Sequence, residues 1–158
     1  MGHCIQGIVF RKDLVAEARR LIPGGKFASL PQDLRFMPVT DKVFADLRLA
    51  YPQLINSENG FERLSAPVEW VAIELSRGGA VAYVETEYHG GTGAQSSVVW
   101  KNGAVVLPAR TADVGPINEA LVLLGANCQD SHDEFDAVGL GQYRSNSDWF
   151  HKARRRAG

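Results

Sequence analysis

The sequence predicts an α+β protein, with an antiparallel sheet and a central hairpin packed against three to four helices. Three extended segments follow one another closely, near residues 80–88, 95–101 and 104–108. The helical patterns lie mostly outside this block, so the strands cluster as hairpins and do not alternate with helices. We therefore expect a single domain over residues 1–150, followed by a basic C-terminal tail over residues 151–158.

The N-terminal half predicts one strand and three helices. Residues 4–10 are a short apolar run typical of a strand, and apolar residues recur at helical spacing over residues 13–22. Thr40 and Ser65 stand before two further helical stretches, and both residue types are preferred N-caps. The stretches without a clear period, which we expect to be mainly loop, are residues 26–39 and 53–64.

The turns between the central strands differ in kind. Asn102-Gly103 predicts a two-residue type I′ turn, whose register places Val99 opposite Val106. The glycine-rich residues between the first two strands predict a loop longer than a tight hairpin, because they let the backbone turn sharply. We expect that loop to present a polar tip, Thr92 and Gln95, outward.

The C-terminal third predicts one clear helix and two weaker elements. Gly115-Pro116 begins the helix, and Gly125 is placed to follow its last residue, where glycine is favoured. The segment FDAVGL, residues 135–140, suggests a further strand, and Ser147 suggests the N-cap of a short last helix.

A row of charged residues follows from the period of the first central strand. Alternate residues share a face, so Glu85, Glu87 and His89 lie in line. Two carboxylates with a histidine could perform acid–base chemistry or hold a metal, but a half-exposed sheet showing its polar face to solvent is the favoured explanation. Neighbouring carboxylates also repel unless a donor or a cation lies between them. The candidates for that donor are Gln95, Lys101, Arg110 or a basic partner.

Composition excludes several classes of partner. The formal net charge is -1 and the sequence pI is about 6.4, which disfavours nucleic acid and anionic membranes. No apolar run approaches the roughly 18 residues of a membrane span, and the pattern of the first residues predicts no signal peptide. The glycine-rich turn leads into a strand and not a helix, so a phosphate site is disfavoured and we expect no cofactor. The cytoplasm of a bacterium is the expected location.

Two cysteines, Cys4 and Cys128, give no metal or disulfide pattern. No C-x-x-C pair is present, and the spacing of the nearby histidines, His3 and His132, is loose for zinc. We therefore expect no metal, and two buried thiols.

The acidic run QDSHDEFD, a solvated loop in the simpler interpretation, could also meet a basic surface and speed association. Trp149, with less reason to be buried than the other tryptophans, joins Tyr143 and Arg144 as a candidate interface anchor. The residues that we predict to contact a partner are Glu85, Glu87, His89, Thr92, Gln95, Asp130, Asp133, Glu134, Asp136, Tyr143, Arg144 and Trp149.

The block ETEYHGGTGAQSSVVW, Glu85 to Trp100, resembles a strand–glycine turn–strand block of small bacterial immunity-type proteins, which neutralise a toxin by binding it. The resemblance implies a toxin domain as the partner, with no catalysis, and it assigns no residue a role. The alternative is a small metal-dependent or acid–base enzyme that uses Glu85, Glu87 and His89.

Overall fold

The computed structural model of the chain describes residues 2–55 and 58–157, and side chains within these ranges as far as residue 154. The described residues form six strands: β1 (His3–Arg11), β2 (Ala28–Leu30), β3 (Leu34–Pro38), β4 (Val81–His89), β5 (Thr92–Lys101) and β6 (Ala104–Ala112). The α-helices are α1 (Val15–Leu21), α2 (Asp41–Ala50), α3 (Ala66–Leu75), α4 (Pro116–Leu123), α5 (Glu134–Ala137) and α6 (Asn146–Ala157).

The strands form one sheet in the order β2-β3-β1-β4-β5-β6, and every neighbouring pair is antiparallel. The predicted α+β class is therefore confirmed. The central hairpin is also confirmed, as β4, β5 and β6 follow one another in both chain order and sheet order. The strands β2 and β3, within a stretch expected to be mainly loop, extend the sheet on the other side of β1.

Helices cover both faces of the sheet. On the first face, α1, α2 and α3 pack over Ile8, Phe10 and Tyr83. On the second face, α4, α5 and α6 pack over Val9 and Ala82. The expectation of a half-exposed sheet is therefore wrong for the centre of the sheet, because each face has its own hydrophobic core, although Glu87 and His89 at the end of β4 are exposed.

The predicted helix starts at Thr40 and Ser65 are confirmed. Thr40 Oγ1 accepts the backbone N–H of Val43 at 3.2 Å, and Ser65 Oγ accepts that of Val68 at 3.3 Å. Each side chain satisfies one of the backbone donors that a helix leaves unpaired in its first turn.

The two hairpin turns are both two residues long. Asn102 and Gly103 have positive φ values, as predicted for a type I′ turn. The loop between β4 and β5 is shorter than expected, because His89 pairs directly with Thr92 and only Gly90-Gly91 turn the chain. Both of these glycines have positive φ, which allows the tight turn in place of the longer loop.

The register of β6 follows the predicted turn only next to it. Trp100 lies opposite Val105, as the Asn102-Gly103 turn requires, but Val99 lies opposite Leu107, not Val106, and the ladder is shifted at two places along β5. The extra residues are on β6 beside Pro108, which has no N–H to give to the ladder, and such bulges are common on edge strands.

The C-terminal region is helical where a strand and a tail were expected. Asp133 accepts the N–H of Asp136 and begins α5, so the interpretation of residues 135–140 as a strand is wrong. Ser145, and not Ser147, accepts the N–H of Asp148 in the first turn of α6. Residues 151–157, predicted as a tail, continue α6, and Ala153 is buried against the second face. Within the described ranges, no helix is long and apolar enough to span a membrane.

Candidate functional site

The first face of the sheet changes from apolar to polar along β4. Ile8, Tyr83 and Val98 lie side by side on three strands and belong to the core beneath the helices. Two residues further along β4, one level of the sheet is polar on all four neighbouring strands. We call this level the polar row, and it consists of Gln6, Glu85, Ser96 and Thr111.

A cleft of about 480 Å³ opens above the polar row. Cys4, Glu87 and Ala94, one level further along the same strands, extend its floor. Its wall comes from the segment that precedes α3, through Gly60, Glu62 and Arg63. The sheet thus supplies the polar floor, and a crossing segment supplies the wall.

Glu85 is buried in this floor with 8% of its surface exposed. Its Oε1 accepts the backbone N–H of Glu62 at 2.9 Å, and its Oε2 accepts that of Arg63 at 2.9 Å. The Tyr83 hydroxyl also donates to Oε2, at 2.6 Å. These donors to Glu85 differ from the side chains predicted from the sequence, which were Gln95, Lys101 and Arg110.

Burial dominates the electrostatics of Glu85. It raises the pKa of Glu85 above the usual value, although the Glu62 N–H, the Tyr83 hydroxyl and the Arg63 N–H each act to lower it. Burial and the adjacent carboxylate in turn raise the pKa of Tyr83, so this phenol stays protonated and remains a donor. Within the described part of the chain, no cationic side chain forms a salt bridge with Glu85.

The other floor residues are fixed by hydrogen bonds. Asn146, at the start of α6, donates to Gln6 Oε1 at 2.7 Å, and Gln6 Nε2 donates to the sulfur of Cys4 at 3.4 Å. Ser96 Oγ and Thr111 Oγ1 are 2.7 Å apart. The floor is therefore a preorganised polar surface that spans four strands.

The lining of the cleft is acidic. Glu62, Glu85 and Glu87 supply three carboxylates, and Arg63 supplies the cation. The Arg63 guanidinium, however, pairs with Asp41 and lies over the Phe44 ring, 5.5 Å from its centroid. The negative potential of the cleft is thus left largely uncompensated.

The predicted row of Glu85, Glu87 and His89 does lie on one face, but its members have different surroundings. Glu87 and His89 are exposed, with His89 Nε2 3.8 Å from Glu87 Oε1. Thr92 is also exposed, across the ladder from His89. The expected display of Glu85 on the surface is wrong, because the segment before α3 crosses over it.

Gln95 is buried on the second face and does not form the outward tip that was expected. Its amide group donates to the Tyr88 hydroxyl at 3.0 Å, and its carbonyl oxygen accepts the backbone N–H of Ile117 at 2.8 Å. Gln95 therefore fixes the start of α4 on the sheet. Its burial follows from the helices on that face.

The acidic run is separate from the cleft. Asp133 begins α5, which packs on the second face, and its other carboxylate oxygen accepts the side chain of Asn118 at 3.2 Å. Asp130 and Asp136 are exposed, and Glu134 is half-buried. The two groups of predicted acidic contacts thus belong to opposite faces of the sheet.

The predicted aromatic and arginine anchors also lie on the side of the second face. Trp149 is fully buried, so its expected exposure is wrong, and its ring packs edge-on against Phe36 and Tyr143. Tyr143 is half-buried, and Arg144 is exposed. The helical spacing of α6 explains the error, because it turns Trp149 and Ala153 toward the same core.

Sequence reasoning missed Gln6, Ser96, Thr111 and Cys4 as parts of a site. Gln6 interrupts an apolar run two residues after Cys4, and that spacing on a strand could have indicated a shared polar face. Cys4 is exposed and Cys128 is half-exposed, so the expected burial of both thiols is wrong, and both are free.

The described residues bring together no group of three or more histidine, cysteine, aspartate or glutamate side chains that could hold a metal ion. No protein-family model, no curated protein and no solved structure matches this chain.

Proposed function

We propose that this chain is a binding protein of the immunity type, and that its acidic cleft receives a basic side chain of a toxin domain. The observation that carries the proposal is Glu85, a buried carboxylate at the floor of an open cleft, with which no cationic side chain of the described residues forms a salt bridge. A lysine or arginine from a partner would supply that charge.

The surroundings of Glu85 suit recognition of a protein cation. Glu62 and Glu87 are exposed beside it and would attract a basic partner over a longer range than hydrogen bonds reach. The polar row is already fixed by internal bonds, so little ordering is needed on binding, and preorganisation favours affinity.

The experiment is co-expression with the product of the adjacent gene, followed by size-exclusion chromatography and an assay for rescue of toxicity. We expect a stable complex, rescue by the unmodified chain, and an affinity at least about 10-fold weaker for the double variant Glu62→Gln/Glu87→Gln. Asp13→Asn removes an exposed carboxylate outside the cleft and should leave the affinity unchanged.

A second pair of variants separates the two acidic surfaces. Asp130→Asn/Asp136→Asn neutralises exposed carboxylates of the acidic run and leaves the cleft intact. Weakening by this pair alone would assign the contact to the run and not to the cleft. A neighbouring product that is not toxic, with no complex formed, would remove the immunity function altogether.

The second candidate is an acid–base enzyme at the same cleft. Two observations favour it: the pKa of buried Glu85 is raised, and the neighbouring Glu87 is exposed to solvent. Two carboxylates in such different environments can act as the acid and the base of one reaction. His89 would orient Glu87 in this scheme. Stoichiometric zinc or manganese in the purified protein, lost in Glu87→Ala, would favour the metal-dependent form of this candidate.

A further inference from the structure

The two oxygens of the Glu85 carboxylate differ in the number of hydrogen bonds that they accept. An ionised carboxylate has about two acceptor positions on each oxygen. Oε2 accepts two donors, the backbone N–H of Arg63 at 2.9 Å and the hydroxyl of Tyr83 at 2.6 Å. Among the described residues, Oε1 accepts only the backbone N–H of Glu62, at 2.9 Å. Oε2 is therefore saturated, and the acceptor position that is left belongs to Oε1.

Glu85 meets the cleft with the small part of its surface that stays exposed. Only 8% of the residue is exposed, and it lines the floor beneath the open space. Burial outweighs the three donors and raises the pKa of Glu85, so its ionised form gains from one more donor, above all a charged one.

Neutral acceptors flank Glu85 on both neighbouring strands. Gln6 lies directly opposite on β1 and Ser96 directly opposite on β5, and such pairs have Cβ atoms about 5 Å apart. The side-chain oxygen of Gln6 accepts one donor, from Asn146, and the Ser96 hydroxyl shares one hydrogen with Thr111. Both oxygens therefore keep a lone pair. Around Glu85 the floor offers single acceptors at separate points.

Lysine and arginine need different arrangements of acceptors. A guanidinium is planar and binds a carboxylate best through two parallel N–H bonds, one to each oxygen. Oε2 of Glu85 has no position for the second of these bonds. An ammonium is a compact charge with three rotatable donors, so it can bind Oε1 together with separate neighbouring oxygens.

We propose that the cleft is a site for the ammonium group of a lysine side chain of the partner protein, and that the Tyr83 hydroxyl makes the site select lysine over arginine by occupying Oε2 of Glu85. The ammonium binds Oε1 of Glu85 and the side-chain oxygens of Gln6 and Ser96. The exposed carboxylates at the rim of the cleft attract it over a longer range. This inference deepens the proposed function and rests on it for the source of the lysine, a toxin domain.

The test is an NMR titration of the full chain, at low salt, with Nα-acetyl-lysine amide and Nα-acetyl-arginine amide. Each of these probes carries its only charge on the side chain. A bound ammonium favours the ionised Glu85 carboxylate, which holds the backbone amides of Glu62 and Arg63, so the signals of these amides report binding. We expect the lysine probe to bind at least about 5-fold more tightly than the arginine probe.

Nα-acetyl-norleucine amide is the control ligand, because its side chain is aliphatic and has no charge. It should not shift the amide signals of Glu62 and Arg63. Equal affinities for the two charged probes, or tighter binding of the arginine probe, would overturn the proposal. The absence of a shift with either charged probe would overturn it as well.

Tyr83→Phe tests the cause of the selectivity. It keeps the ring that packs edge-on against Phe61 but frees one acceptor position on Oε2 of Glu85. The arginine probe should gain, so the ratio of the two affinities should fall at least about 3-fold. Tyr88→Phe is the matched control, because it removes a phenol of the same strand that contacts Gln95 on the second face, and the ratio should not change. The same ratio in Tyr83→Phe and in the unmodified chain would contradict the proposal.

Ser96→Ala keeps the test decisive if Tyr83→Phe does not fold. It removes a neutral acceptor that the ammonium uses, so the lysine probe should bind at least about 3-fold more weakly, and the arginine probe should change little. Equal weakening of both probes would count against the proposed site. If the probes show the lysine preference but no toxin complex forms, the proposed function fails and this inference stands. A toxin complex without any lysine preference is the reverse result.

Discussion

Asn146 holds Gln6 by two reciprocal hydrogen bonds. Its Oδ1 accepts the backbone N–H of Gln6 at 2.9 Å, and its Nδ2 donates to the side-chain oxygen of Gln6 at 2.7 Å. The same Nδ2 also donates to the carbonyl of Val39 at 3.1 Å. One residue at the start of α6 thus joins the last helix to β1, to the end of β3 and to the floor of the cleft.

We expect Asn146→Ala to lower the free energy of unfolding by about 2 to 3 kcal/mol, because it removes the partners of the backbone N–H and side-chain oxygen of Gln6 and one of two donors to the carbonyl of Val39. Ser147→Ala, at the exposed next position, is the matched control and should change stability by less than about 0.5 kcal/mol. Urea unfolding of both variants provides the measurement. Equal effects in the two variants would show that the hydrogen bonds of Asn146 contribute nothing specific to stability.

Glu85 should contribute to the pH dependence of stability. Its pKa is raised by burial, so the folded state binds a proton more tightly than the unfolded state does. Its contribution to stability is therefore complete below the usual value of 4.5 and is lost as the pH rises through the folded-state pKa.

Urea unfolding between pH 4 and 7 tests this sign. The stability of the unmodified chain minus that of Glu85→Gln should decrease as the pH rises, while Glu87→Gln reports the effect of losing an exposed carboxylate. A difference that grows with pH would mean that the bonds from Glu62, Arg63 and Tyr83 outweigh burial.

The contribution of His3 to stability should have the opposite pH dependence, in a different pH range. Its Nδ1 lies 2.7 Å from Thr86 Oγ1 and its Nε2 lies 3.1 Å from the carbonyl oxygen of Leu140. Burial lowers the pKa of His3. Its contribution is thus complete above the usual value of 6.5 and is lost as the pH falls through the folded-state pKa.

The measurement is a comparison of His3→Gln with His132→Gln, an exposed control, by unfolding between pH 5 and 8. The stability lost in His3→Gln should shrink as the pH falls, and the control reports the effect of losing an exposed histidine. A loss that instead increases toward pH 5 would contradict a neutral His3 in the folded protein.

Features that depend on neighbouring residues could be predicted from the sequence, whereas features that depend on distant residues could not. The caps at Thr40 and Ser65 and the Asn102-Gly103 turn depend on residues within a few positions, so pattern alone predicts them. The environment of Glu85 depends on amides more than 20 positions away, and no period of β4 reveals them.

Contacts between residues far apart in the chain also account for the errors on the second face. Gln95 looks like a loop residue until α4 is placed beside it, and Trp149 looks exposed until α6 is seen to run on past residue 150. Polar residues on a strand predict a shared face, but whether that face meets water depends on helices distant in the chain.

The glycines of the β4–β5 hairpin should differ in how strongly a substitution destabilises the protein. Gly90 and Gly91 have positive φ and open space around the position of a Cβ atom, so alanine costs only backbone strain of about 1 to 2 kcal/mol. Gly93 is outside the turn, yet a Cβ atom there would lie 1.9 Å from the carbonyl oxygen of Glu87. That oxygen belongs to the backbone of the paired strand and can move away only by distorting the ladder.

We therefore expect Gly93→Ala to be more destabilising than Gly90→Ala, by about 2 kcal/mol or more. Gly90→Asn should be nearly neutral, because asparagine accepts positive φ more readily than alanine does. Thermal and urea unfolding of the three variants provide the comparison. If Gly90→Ala were the most destabilising variant, the need for glycine in this hairpin would come from backbone conformation and not from the close approach of β5 to β4 beside the cleft.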